Sequence, residues 1–355
     1  MITRTERSHA MPLPKRIQWN LLLISVVLFG GSTTLAADTG LQMGFAAVDV
    51  TPDVNGPRPV WMAGQESNRR ATKVNDLLYA RALVLDDGNQ QIALVSVDSI
   101  GIQHPLVLNV RERLPEVDYC LVASTHTHEG PDCIGIWGPT PTTSGVDPHY
   151  LEQLEDGIVK AVETARSELT PVSAEYGQAS DKKLLRDFRL PVVLDPVLRV
   201  LRFRDEDNKD RALLVQWNSH PVEPDGNHAI TRDWIGMTVD QLEKQYGCPV
   251  IYFTGAVGGL MGTPDVLFLD YEGKQKAKTY FEFMGMYAGA VSELANQAID
   301  SASSIELTPL QVSTKPLALP LDNPGFRAAR AAGVLNRPAY AWSETTNELG
   351  AELPA

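Results

Sequence analysis

Basic residues are in short supply. The chain of 355 residues has 31 lysines and arginines against 44 aspartates and glutamates, a formal net charge of −13. Nucleic-acid binding needs a basic face to neutralise phosphates, so this balance argues against it. Cysteine is scarcer still: three residues cannot build a disulfide framework. Long apolar runs are missing apart from one near the N-terminus, so no second segment reaches membrane-spanning length. A nucleotide-binding P-loop is also absent, because no Gly-Lys-Ser/Thr follows the Gly-rich stretch near residue 258. What is present is a folding composition. The chain is 43% hydrophobic and 21% charged, which excludes a disordered polymer and leaves ample material for a core.

The single apolar run comes first. Arg4, Arg7, Lys15 and Arg16 precede an apolar stretch at 21–29, and small residues lead to Thr34-Leu35-Ala36-Ala37. This order predicts an export signal cleaved near Ala36. The run is shorter than the about 20 residues that span a bilayer. The expected organisation is a signal peptide over 1–36 and one α/β domain over 37–355, secreted or periplasmic, with no stable membrane insertion after cleavage. Removal of the signal takes four basic residues and one acidic residue and moves the charge from −13 to −16. Cys120, Cys133 and Cys248 would then meet an oxidising compartment. Cys120 lies in an apolar run and reads as buried core; a bond between Cys133 and Cys248 is left open.

Strand and helix patterns alternate over the rest. Residues 91–98 and 119–124 are apolar, β-branched runs that predict buried strands, with a short helix over 104–114 between them. Pro105 is tolerated in that helix's first turn. The βαβ spacing predicts parallel neighbours. Helical periodicity covers 148–169, 234–246 and 278–302. Residues 198–204 and 212–217 predict a hairpin, and 250–253 another buried strand before a Gly-rich turn. No internal repeat is visible. The fold class expected is α/β: a mixed sheet layered with helices, with a metal site at strand C-terminal ends.

Chemistry-bearing residues gather at those ends. Thr125-His126-Thr127-His128-Glu129 follows a predicted strand, and residues i and i+2 of an extended chain face one side. Two imidazoles there could share a metal, neutral imidazole being a common ligand; a solvated polar loop is the alternative. Asn218-Ser219-His220-Pro221 follows another strand, with Asn227, His228 and Asp233 beyond it. His220 suits a metal ligand, with a hydrogen-bonded core histidine as the alternative. Asp98 and Asp233 are candidates for acceptors behind a ligand. His104 and His149 sit at predicted helix starts and read as structural. Residues 253–264 include four glycines that permit close backbone approach and can present N–H groups to an oxyanion, or form a tight turn.

In order along the chain, these segments resemble the neutral/alkaline, non-lysosomal ceramidases, a family of zinc amidases. Asp49-Val50-Thr51-Pro52 looks like the family's opening, and Met62-Ala63-Gly64 like its glycine turn. Asp76-Leu77-Leu78-Tyr79-Ala80-Arg81-Ala82-Leu83-Val84-Leu85 is similar to its next element. Thr125-His126-Thr127-His128 is its most specific motif; His220-Pro221, Asn227-His228, Asp233 and Gly236 fall at its later spacing. The resemblance implies zinc held by His126 and His220, with His128 handling protons beside it. It implies Arg189 as a substrate contact and amide hydrolysis by a zinc-activated water; Asp233 and, as a departure from the family, Glu129 (an extra ligand, a general base or a substrate contact) are further catalytic candidates. The implied substrate is a small N-acyl amide or a sphingolipid-like molecule.

The departures from the family pattern are specific. Glu129 stands where the family usually has serine. Gly258-Gly259-Leu260-Met261 replaces the core of its Gly-Asp-x-Ser-Pro segment, and no Pro-Gly-Glu element occurs. Glu344, Glu348 and Glu352 lie in a polar, Ala-rich setting, and the family's immunoglobulin-like domain has no counterpart. Two histidines alone would underfill a zinc site. The alternative function is therefore an incomplete, non-catalytic domain that binds a ligand without turnover. A metallo-phosphoesterase using the same histidines is a third, minor one.

Overall fold

The computed structural model describes residues 40–221, 228–258, 279–314, 319–335, 337–343, 345–346 and 348–353. The expected export signal, Asn227, residues 259–264 and Glu344 lie outside the described residues. Among the described residues no helix is long and apolar enough to cross a membrane.

The chain writes one topology twice. The first pass runs through β1 (Gln42–Asp49), β2 (Lys73–Val74), β3 (Tyr79–Asp86), β4 (Gln91–Val97), α1 (His104–Glu112), β5 (Tyr119–Ser124), α2 (Pro148–Ser167) and β6 (Thr170–Pro171). The second runs through β7 (Ser173–Ser180), β8 (Val197–Arg204), β9 (Asp210–Trp217), β10 (Ala229–Ile230), α3 (Asp233–Tyr246), β11 (Val250–Thr254), α4 (Tyr280–Asp300) and β12 (Ser303–Ile305). Each pass makes a five-stranded sheet, ordered β5-β4-β3-β1-β6 and β11-β9-β8-β7-β12. In both, three antiparallel strands are followed by a helix and a strand parallel to the third. A second helix then returns to an edge strand antiparallel to the first. The two sheets are mixed, and the repeat that the residues conceal is plain in the strand order. β10 pairs with β2 in parallel and ties the two passes together. Beyond them lie α5 (Pro324–Ala331) and a hairpin of β13 (Tyr340–Ser343) and β14 (Glu348–Glu352).

Strand alternation builds four layers. On β3 and β4, Ala80, Ala82, Val84, Ala93, Val95 and Val97 face one core with α1 and α2. Leu213, Val215, Trp217, Val250 and Tyr252 face a second core with α3 and α4. The opposite faces meet each other. Leu83, Leu85, Phe203, Ala212 and Ile251 form the apolar seam between the sheets. Both faces of each central strand are thus buried, which is why they read as continuous apolar runs rather than alternating ones. The long helix α2 starts where expected: Asp147 caps it by accepting from His149 N, and Pro148 occupies the first turn. The predicted parallel pairing of β4 with β5 is present. Cys120, Cys133 and Cys248 are all buried free thiols, so the open pairing of Cys133 with Cys248 is not made. His104 and His149 sit in the first turns of α1 and α2, exposed.

Two glycines set the spacing between sheet and returning helix. A Cβ on Gly44 of β1 would lie 1.9 Å from the Ala165 carbonyl oxygen in α2, and one on Gly177 of β7 would lie 1.9 Å from that of Ala298 in α4. They are counterparts in the two passes. Replacing either by alanine must push a helix off its sheet, at about 3 kcal/mol each. Chemical denaturation of Gly44→Ala and Gly177→Ala should show similar losses, and an unchanged midpoint in either would contradict this packing.

Candidate metal centre

The strand ends of both passes converge at the seam. β5 releases the chain into Thr125-His126-Thr127-His128, and β9 into Asn218-Ser219-His220. The Thr254 hydroxyl at the end of β11 donates to the Thr125 carbonyl at 2.6 Å and joins the two ends. The imidazoles of His126, His128 and His220 meet there. Their ring centroids are 5.0, 4.5 and 4.7 Å apart, and one ring nitrogen from each lies within 4.8 Å of the others.

The two histidines of the His-Thr-His pair do not meet through a simple extended strand. His126 has φ +69°, the left-handed region that side chains with a Cβ rarely adopt. Two hydrogen bonds hold it there. Its N–H donates to the Ser99 carbonyl at 2.9 Å, and its Nδ1 lies 2.6 Å from the Ile100 carbonyl. A carbonyl can only accept, so Nδ1 carries the hydrogen and Nε2 keeps a free lone pair. His128 packs closely on Gly64, whose φ is +97°; a Cβ there would lie 2.3 Å from the ring. His128 Nε2 and His220 Nε2 face each other at 2.7 Å.

Burial keeps these rings uncharged. Desolvation, then the neighbouring His220 and His126, pushes His128 down to about 3. Desolvation and His126 push His220 down to about 4. Desolvation also lowers His126, against the Ile100 carbonyl. Among the described residues the Nδ1 atoms of His128 and His220 close no regular hydrogen bond, although the Gly64 and Val257 backbones lie against their rings and oppose the downward shift. Three neutral imidazoles with converging nitrogens are a donor set that suits zinc.

The other predicted residues surround this cluster at different depths. Glu129 is fully buried and pairs with Arg69, Nη1 to Oε1 3.3 Å. Asp233 is buried at the start of α3 with φ +59°, and its Oδ1 accepts from Trp234 N at 2.6 Å. The Thr127 hydroxyl donates to the Thr231 carbonyl at 2.9 Å, which straps the histidine loop beside Asp233. Arg189 is exposed on the rim; its Nη2 would lie 3.6 Å from a Cβ on Gly258, next to Val257. His228 lies outside the cluster, with Nδ1 2.7 Å from the Arg70 carbonyl. Asp98 accepts from Tyr79 N at 2.9 Å. Burial raises its carboxyl to about 6, against the charges of Arg232 and Arg81. Glu352 is exposed on β14. Sequence reasoning missed the close packing of Gly64 on the His128 ring, and it missed Arg69. Nothing in the local pattern around Arg69 distinguishes it from a surface arginine; its signal is burial, which only the fold reveals.

The comparison with known proteins bears on this centre. Residues 41–250 match the family described as neutral/alkaline non-lysosomal ceramidase, N-terminal. The chain belongs to this family. The neutral ceramidase of Pseudomonas aeruginosa is 26% identical over 246 residues, which is 61% of this chain and 36% of that one. A crystal structure of neutral ceramidase from Pseudomonas aeruginosa superposes with a TM-score of 0.63 at 22% identity, covering 75% of this chain and 46% of that one. A ceramidase complexed with C2 gives 0.62 at 22% identity, covering 75% and 45%. At that identity the superpositions speak for the fold alone. This ceramidase-family chain spans less than half the length of these relatives. Its histidine cluster sits at the ends of β5 and β9, as the resemblance leads one to expect.

The depressed histidine pKa values fix the direction of a pH effect on the metal-free protein. Unfolded histidine titrates near 6.5, so stability from His128 and His220 is present above that pH. It is lost as pH falls through about 4 and about 3. Asp98 works in the opposite sense: its raised pKa gives stability that is present below about 4 and lost as pH rises through about 6. Two histidines against one aspartate leave a net loss of about 1 kcal/mol per pH unit between pH 6 and 4.5. Denaturation of the chelator-treated protein across that range should show it; a flat profile would mean the rings are not buried uncharged.

Proposed function

We propose that this protein is a zinc-dependent hydrolase that cleaves an N-acyl amide bond. The observation that carries the proposal is the convergence of His126, His128 and His220 on one point within a ceramidase-family fold. His126 and His220 would hold the ion through Nε2, the atom that the Ile100 carbonyl leaves free on His126. Zinc at such a site supplies a water of pKa near ~7 and polarises a carbonyl.

The chain's own groups do the rest. His128, uncharged and beside His220 Nε2, takes a proton at Nε2 and returns it to the leaving amine. Arg189, on the rim next to Gly258, orients the polar end of the substrate. Asp233, buried beside the Thr127–Thr231 strap, supports the histidine loop from behind. The substrate class is a small N-acyl amide or a sphingolipid-like molecule. The acidic balance disfavours approach to an anionic lipid surface. A binding form without turnover is the competing reading, favoured by one observation. Among the described residues the metal-competent group is all imidazole, with no carboxylate in it.

Purified protein should contain about one zinc per chain, lost in the His126→Ala, His220→Ala double variant, and should release amine from short N-acyl amides in preference to esters and phosphoesters. Full metal retention in the double variant would sink the assignment. Zinc without turnover on the whole panel selects the binding form. Export belongs to the same proposal, from the basic, apolar and small-residue order of residues 1–36. N-terminal sequencing of the exported protein should begin near Ala37, and an intact Met1 or Met11 would refute it.

A further inference from the structure

Arg69 is the least expected residue near the centre. It is a fully buried arginine, 1% exposed, in a loop with no apolar pattern. Burying a guanidinium is costly unless it is paired and hydrogen-bonded, and here both Nη atoms are, while Nε closes no hydrogen bond among the described residues. Here its Nη1 pairs with Glu129 Oε1 at 3.3 Å, and its Nη2 donates to the Ala63 carbonyl at 2.5 Å. Nη2 also donates to the carbonyl of His128 itself. The planar fork therefore bridges three acceptors: the backbone before Gly64, the backbone of His128, and the side chain of the next residue. A lysine, with its single nitrogen, could not span them.

The loop that carries Arg69 is itself bolted to the histidine loop. Ala63 N–H donates to the Gly130 carbonyl at 3.0 Å, and Met62 N–H donates to the Arg69 carbonyl at 2.8 Å. Met62 and Pro131 form a β-bridge. Gly64 then lies close against the His128 ring. His128 is thus gripped twice, at its carbonyl by Arg69 and at its ring by Gly64, and both grips come from one loop.

We propose that Arg69 is a positioning residue that fixes His128 at the metal centre, with Glu129 as its buried counter-charge. The proposal rests on reading the histidine cluster as a metal site. It gives Glu129 a task other than ligand or general base: it neutralises Arg69, so that a buried cation does not oppose a metal dication nearby. If the pair served folding alone, uncharged residues of similar size would replace it without effect on the centre.

Titration of the metal-free full chain with Co²⁺, followed by visible absorption, tests this. The Arg69→Met, Glu129→Gln double variant removes both charges, and Arg69→Lys keeps a charge opposite Glu129 but loses the fork. Because His128 stands beside the two ligands rather than among them, the Co²⁺ spectrum should change in both variants, more in the double variant, while Co²⁺ affinity falls by less than about 10-fold. Thermal melting should stay close to that of the unaltered chain in Arg69→Lys, separating position from fold. Unchanged Co²⁺ affinity and spectrum in Arg69→Lys overturn the proposal, whether or not the double variant folds. His126→Ala and His220→Ala run alongside. If both keep Co²⁺, or the unaltered chain binds none, the metal reading itself fails and the proposal falls with it.

Discussion

Three imidazoles can crowd together only while none of them is charged. That constraint governs the centre of this protein. A proton on any ring would place a cation beside two others' nitrogens and far from water, which is why desolvation leads every depressed pKa in the cluster. The consequences reach outward. The seam must exclude solvent, so both sheets bury both faces. The backbone must present carbonyls rather than carboxylates to the rings, as Ile100 does for His126. Arg69, a buried full charge close by, must be neutralised on the spot. The same neutrality that costs the fold stability in acid leaves lone pairs available to a metal.

The duplicated topology frames this centre without being symmetric around it. The bonds at the two parallel edges correspond: Thr125 N–H donates to the Val97 carbonyl at 2.9 Å, and Gly255 N–H to the Trp217 carbonyl at 3.0 Å. By that correspondence the His126 loop of the first pass matches the Ala256 loop of the second, which is glycine-rich and bears no imidazole. The second pass contributes its histidine from the neighbouring strand end instead. One scaffold has been used twice, with the ligand-bearing position moved by one strand. Gly255, the counterpart of Thr125, leaves no room for a side chain, because the chain there passes tightly over Asn218, whose Oδ1 would lie 1.9 Å from a Cβ on Gly255.

Much of this was legible in the residues. Buried parallel strands announce themselves as apolar runs, so β4, β5, β9 and β11 and the helices between them could be read directly, as could His126, His128 and His220 at their ends. The strands β1 and β7 were harder, because Gly44 and Gly177 interrupt their apolar pattern where the returning helices cross. The repeat was invisible because topology is conserved here through strand order, while the side chains of the two passes differ. The left-handed turn at His126 was also hidden, since nothing in Ser-Thr-His-Thr-His signals a positive φ without glycine. Arg69 lay beyond reach for a simpler reason. An arginine's sequence context does not say whether water or protein surrounds it.

The position of the histidines across the seam has a thermodynamic meaning. His126 and His128 belong to the first pass and His220 to the second, so neither pass alone holds a complete donor set. An ion that binds only when the two are docked adds RT ln(1 + [ion]/Kd) to the free energy of docking. At a free concentration a thousandfold above Kd this is about 4 kcal/mol, comparable to a buried disulfide. In a protein whose three thiols are all unpaired, the metal would then act as the cross-link between its two halves.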